Sequence, residues 1–257
     1  MRLHTVRMGQ GTPVVLLHGL FGAAANWGRV QRALAVTHDV LAMDARNHGA
    51  SGHDPDTSYA SMAGDVADTL SAEGVASACV VGHSMGGKTA MRLALAHPAL
   101  VSRLLVADVS PVTYPSHFGA MVAAMQAIPL TAGLTRAAAH AALEAAAPDP
   151  VVRGFLLQNL RFGEAPSWRV GLEELAAGLG RVEGWEDMGS YDGPVLVARG
   201  ERSDYVLPEH RPVFRALFPQ VRFATVRGAG HWLHADAPEA FIGIVETFAG
   251  TVLTTTA

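Results

Sequence analysis

Short, continuously apolar runs alternate along the chain with longer stretches in which apolar residues recur every three to four positions. The runs are Pro13-Val14-Val15-Leu16-Leu17, Val40-Leu41-Ala42-Met43, Ala78-Cys79-Val80-Val81, Arg103-Leu104-Leu105-Val106-Ala107, Pro194-Val195-Leu196-Val197-Ala198 and Val221-Arg222-Phe223-Ala224-Thr225-Val226. A strand that is apolar on both faces must be covered on both, as in a parallel sheet flanked by helices. Segments near 26–36, 60–73, 86–97, 208–218 and 237–250 carry the helical spacing, and several end at His-Pro or Gly, where helices stop. The alternation predicts an α/β fold with a mostly parallel, doubly wound sheet.

One region breaks the rhythm. From about Thr113 to Tyr191 the chain is rich in Ala and Leu, keeps helical periodicity and offers no strand-like run. This predicts a helical cap at 113–191, inserted into a core formed by 1–112 and 192–257. Phe118, Met121, Met125, Phe155, Leu156, Phe162 and Trp168 are expected to pack mostly within the cap, with the rest lining an acyl pocket. The Ala-rich stretch 137–147 reads as helix, and the tail Thr251 to Ala257 as a frayed end.

Composition narrows the partners. The chain has 257 residues, 49% hydrophobic and 16% charged, which suits one large folded domain. Its net charge is −4 and its Lys and Arg residues are scattered. No electrostatic footprint for nucleic acid or an anionic membrane is present, which leaves a small neutral or anionic molecule as the expected partner. The single cysteine, Cys79, lies inside an apolar run, so an intramolecular disulfide is excluded and a reducing compartment is expected. The first residues lack a signal-like apolar stretch, and no run approaches the roughly 18 apolar residues of a membrane span. Cytoplasmic location is therefore the expectation, with a monomer or homodimer as the assembly.

The chemistry concentrates at the ends of the predicted strands. Gly82-His83-Ser84-Met85-Gly86 matches G-x-S-x-G and falls between a strand and a helix. There a serine on a sharp turn needs small neighbours and exposes its hydroxyl above the sheet. His18-Gly19-Leu20-Phe21-Gly22 follows the strand at 13–17, the expected source of a second oxyanion donor. Leu20 N–H paired with Met85 N–H is the first choice, and Phe21 N–H is the alternative. The base is expected in Gly228-Ala229-Gly230-His231-Trp232, a glycine-flanked loop after the last strand. His234 is assigned to local capping or packing and His18 to a structural role. Two aspartates lie beyond strand ends and compete for the acid, Asp108 and Asp204. Asp108 follows the strand beside the serine's own and is preferred, with Asp204 left open.

Taken in order, five segments resemble the α/β-hydrolase superfamily, and within it the bacterial YbfF-type esterases. They are His18 to Gly22 with Asn26-Trp27, Asp44 to Ser51, Gly82 to Lys88, Asp108 to Val112 and Gly228 to Trp232. The resemblance implies an acid at Asp108 and a serine at Ser203 as an auxiliary hydrogen-bonding group. Ser203 stands three residues after Gly200, where many α/β-hydrolases carry their aspartate. The departure is Asp204, one position further on. The segment Asp44 to Ser51 is read as a loop network supporting the turn at Ser84. The implied substrates are short- to medium-chain carboxylic esters or acyl thioesters, cleaved through an acyl-enzyme on Ser84 without metal or organic cofactor. A cofactor-free haloperoxidase, a C–C bond hydrolase and a non-catalytic ligand-binding protein are the alternatives on the same fold.

Overall fold

The computed structural model describes residues 1–116, 118–186 and 189–250. In chain order the first half contains β1 (Thr5–Met8), β2 (Thr12–Leu17), α1 (Gly28–Leu34), β3 (His38–Met43), α2 (Tyr59–Ala72), β4 (Ala78–His83), α3 (Met85–Ala96) and β5 (Val101–Ala107). There follow α4 (Gly119–Gln126), α5 (Arg136–Ala142), α6 (Pro150–Leu156), β6 (Leu160–Arg161), β7 (Ser167–Trp168), α7 (Leu172–Ala177) and α8 (Leu179–Glu183). The chain then returns through β8 (Val195–Gly200), α9 (Arg211–Leu217), β9 (Val221–Val226), α10 (Leu233–Asp236) and α11 (Pro238–Gly250).

Seven strands form one sheet in the order β1-β3-β2-β4-β5-β8-β9, parallel except for β1, which pairs antiparallel with β3. Alternate residues of each central strand feed opposite faces. Val15, Leu17, Val80 and Val106 join a cluster with Val66 and Leu70 of α2, Met91 of α3 and Phe214 of α9. Val14, Leu16, Val81 and Leu105 join a second with Val30 and Leu34 of α1 and Phe241 and Val245 of α11. The sheet is thus covered on both sides, as the unbroken apolar runs require. Cys79 lies in the second cluster, where burial pushes its thiol up to about 12.

The structure differs from the sequence reading in two elements. The edge strand β1 was not expected, because its exposed, polar-alternating residues make no buried run. The region 113–191 is not wholly helical, since Leu160 pairs with Trp168 and Arg161 with Ser167 in a two-residue ladder. Pairs this short leave no periodicity. A third cluster joins α4, α6 and α7 to Leu20, Phe21, Tyr59, Met62 and Met85 of the core, so this layer sits over the carboxyl ends of the central strands. Among the described residues no helix is long and apolar enough to cross a membrane. The tail Thr251 to Ala257 lies outside the described residues.

Candidate active site

β4 runs straight into the turn that carries Ser84, and α3 starts at the next residue. Ser84 takes φ +53° and ψ −121°, a conformation that costs a non-glycine residue about 1–3 kcal/mol. Two close approaches hold it there. A Cβ at Gly82 would stand 2.1 Å from the Gly86 carbonyl oxygen, and one at Gly86 2.3 Å from that of Leu17. Only glycine fits at either place. Ser84 N–H donates to Ala107 O at 3.1 Å, which fastens the turn to the end of β5.

The residue after that end is Asp108, also at positive φ (53°) and fully buried. Its Oδ1 accepts from Gly200 N–H at 2.9 Å, and its Oδ2 accepts from His231 Nδ1 at 2.8 Å and from the Ser203 hydroxyl. The carboxylate therefore fixes the imidazole through Nδ1 and leaves the Nε2 edge turned away from it. Asp204, the alternative acid, is exposed, while its neighbour Ser203 takes the inward direction and donates to Asp108. His231 is positioned further by its own carbonyl, which accepts from His83 Nε2 at 2.9 Å. Burial holds the His83 imidazole well below its ordinary value, so it stays neutral and keeps that proton. The Tyr205 ring stacks on His231 with centroids 4.0 Å apart and planes at 18°. Sequence reasoning missed Tyr205, because no spacing marks a residue that acts through a ring face.

The loop after β2 lies against the serine, since a Cβ at Gly19 would stand 3.1 Å from Ser84 Cβ. Of the two donors considered in it, Phe21 is already engaged. Its N–H donates to His48 Nε2 at 3.1 Å, while His48 Nδ1 donates to Arg46 O at 2.8 Å. Burial pushes the His48 imidazole down to about 3, so it remains a neutral acceptor and the Phe21 amide stays engaged. Leu20 N–H is left, and Met85 N–H precedes the first intrahelical bond of α3. The segment Asp44 to Ser51 braces this loop. Asp44 accepts from Ala24 N–H at 2.7 Å and Ala50 N–H at 2.8 Å, and Ala45 N–H donates to His18 Nε2 at 3.0 Å.

Ser84 and His231 share the wall of a cavity of about 400 Å³. Phe118, Met121, Phe155 and Leu156 line it from the cap side. Met125 is instead buried within the cap, and Phe162, expected to pack, is exposed beside the short ladder. His234 packs on Trp27 with centroids 4.6 Å apart, and it also faces this cavity. Burial pushes its imidazole down to about 4. A larger groove of about 1160 Å³ lies at the other end of the sheet, between β8, β9 and α11. Neither Ser84 nor His231 is among the residues that line it.

One turn into α3, Lys88 is buried, and its ammonium donates to Glu183 O at 2.9 Å and Gly184 O at 2.7 Å. Burial pulls it down to about 7, against a smaller opposing pull from Glu183. Between that value and the ordinary 10.5 the unfolded chain binds a proton that the folded chain does not, so stability rises with pH across this window. Thermal unfolding from pH 7 to 10 is expected to show this rise in the native protein and to lose it in Lys88→Met. A parallel rise in both would contradict the assignment.

A family model described as the alpha/beta hydrolase fold matches residues 12–238. The chain is 42% identical over 245 residues to the sn-1-specific diacylglycerol lipase ABHD11 of Mus musculus, covering 91% of this chain and 80% of that one. It is 36% identical over 238 residues to esterase YbfF of Escherichia coli K12, covering 92% of each. Among solved structures, one titled marine microorganism esterase superposes with a TM-score of 0.93 at 32% identity, covering 96% of this chain and 99% of that one.

Proposed function

From the premise that the chain belongs to the α/β-hydrolase family, we propose that this carboxylesterase-like hydrolase works through an acyl-enzyme on Ser84, with His231 as base and Asp108 as its orienting acid. The observation that carries the reading is the buried Asp108 carboxylate bonded to His231 Nδ1 on the wall of the cavity that also holds Ser84. In the first half-reaction Oγ bonds to the acyl carbon and its proton passes to His231 Nε2. The bond to the alcohol oxygen then breaks, and that oxygen takes the proton. Water repeats the sequence and releases the carboxylic acid. Leu20 N–H and Met85 N–H hold the oxyanion in both halves. Ser203 adds a second donor to the Asp108 oxygen that orients His231, and Tyr205 covers the imidazole face.

The substrates proposed are carboxylic esters or acyl thioesters of small molecules. Mixing the protein with excess p-nitrophenyl acetate is expected to release a burst of about one p-nitrophenolate per chain, followed by a slower steady rate. Intact-mass analysis of the quenched mixture should find one acetyl group added. With added methanol, a shared acetyl-enzyme must partition between methyl acetate and acetate in one ratio whatever the leaving group, and a ratio that changes between p-nitrophenyl and phenyl acetate would contradict the covalent route.

A further inference from the structure

Two cavities meet at Ser84, and they differ in size and chemistry. The larger, of about 400 Å³, has His231, Trp232 and the apolar cap residues on its wall. The second holds about 20 Å³ and shares Ser84, Leu20, Phe118 and Tyr205 with the first, but not His231. Met85 borders it as well, and Tyr59, Lys88, Val109 and Val182, each buried, are part of its wall and not of the larger cavity's. Such a volume takes roughly one water molecule or one small alkyl group.

That wall is braced and not a chance gap. Tyr59 OH donates to Val182 O at 2.5 Å, and the Lys88 ammonium holds two successive carbonyls, those of Glu183 and Gly184. The same ammonium stands 4.8 Å from the centroid of the Tyr114 ring, which also borders the chamber. Core helix α3 and the end of the cap are therefore locked together where a longer chain would have to pass.

The tetrahedral centre on Ser84 has a defined orientation. Its oxyanion points to the Leu20 and Met85 amides, and its leaving oxygen has to meet the proton that His231 returns. The leaving group then occupies the cavity that contains His231, and the acyl substituent turns into the small chamber. Resting on the serine-esterase reading above, we infer that the protein selects acyl groups of two or three carbons carried on bulky, apolar alcohols. Tyr59 and Val182 set the acyl limit, while Phe118, Met121, Phe155 and Trp232 receive the alcohol.

Two ester series separate the sides. With p-nitrophenyl acetate, butyrate and octanoate, kcat/KM is expected to fall by about 100-fold or more from first to last, since each added methylene meets a closed wall. With ethyl, hexyl and octyl acetate it is expected to rise by about tenfold or more, as apolar surface is buried in the larger cavity. Val182→Ala, which shortens the chamber wall by two methyl groups, should raise the butyrate-to-acetate ratio about tenfold. Octanoate turned over as well as acetate, or indifference to alcohol length, would overturn the inference while leaving the serine mechanism standing. Turnover of no ester in either series would remove both.

Discussion

Ser84→Ala is expected to lower kcat for p-nitrophenyl acetate by about 10⁴-fold or more, with unfolding temperature shifted by only a few degrees. The size follows from losing the covalent route, after which only oxyanion contacts and substrate binding remain. The fold should tolerate the change because among the described residues Ser84 Oγ makes no hydrogen bond, and the turn is held by its backbone, through Ser84 N–H to Ala107 O and the close packing at Gly82 and Gly86. Alanine keeps the Cβ and the same strained φ. Steady-state kinetics beside a thermal melt separates this outcome from unfolding, and turnover within tenfold of the native rate would take Ser84 out of the chemistry.

Asp108→Asn should cost almost as much, about 10⁴-fold in kcat, for a reason the hydrogen bonds make explicit. Gly200 N–H only donates, so the asparagine oxygen must turn toward it and the amide NH₂ toward Ser203 and His231. The His231 Nδ1 then becomes an acceptor and its Nε2 carries the proton, which is the wrong tautomer to receive one from Ser84. Asp204→Asn, on an exposed residue, is expected to stay within about twofold. Comparable losses in the two variants would contradict the placement of the acid.

Much of this arrangement was legible in the chain, and the gaps have physical causes. The central strands are visible as unbroken apolar runs because both of their faces are covered. β1 is an exposed edge, and β6 and β7 span two residues each, so none of them leaves a run to read. Ser84 is legible because the sharp turn restricts its neighbours to glycine, and His231 because it follows the last strand in a glycine-flanked loop. The choice between Asp108 and Asp204 turns on which way a loop points, and adjacent positions at 203 and 204 differ there. Likewise, whether Leu20 or Phe21 offers a free amide depends on His48, 27 residues from Phe21, reaching back to one of them. Tyr205 and the Lys88 clamp are tertiary contacts between distant segments with no local pattern.

The central claim is that Ser84 is the nucleophile, and labelling with a fluorophosphonate followed by peptide mapping tests it most directly. The account predicts a single adduct on Ser84 in the native protein and none in Ser84→Ala. An adduct on another residue, or equal labelling of the variant, would contradict it.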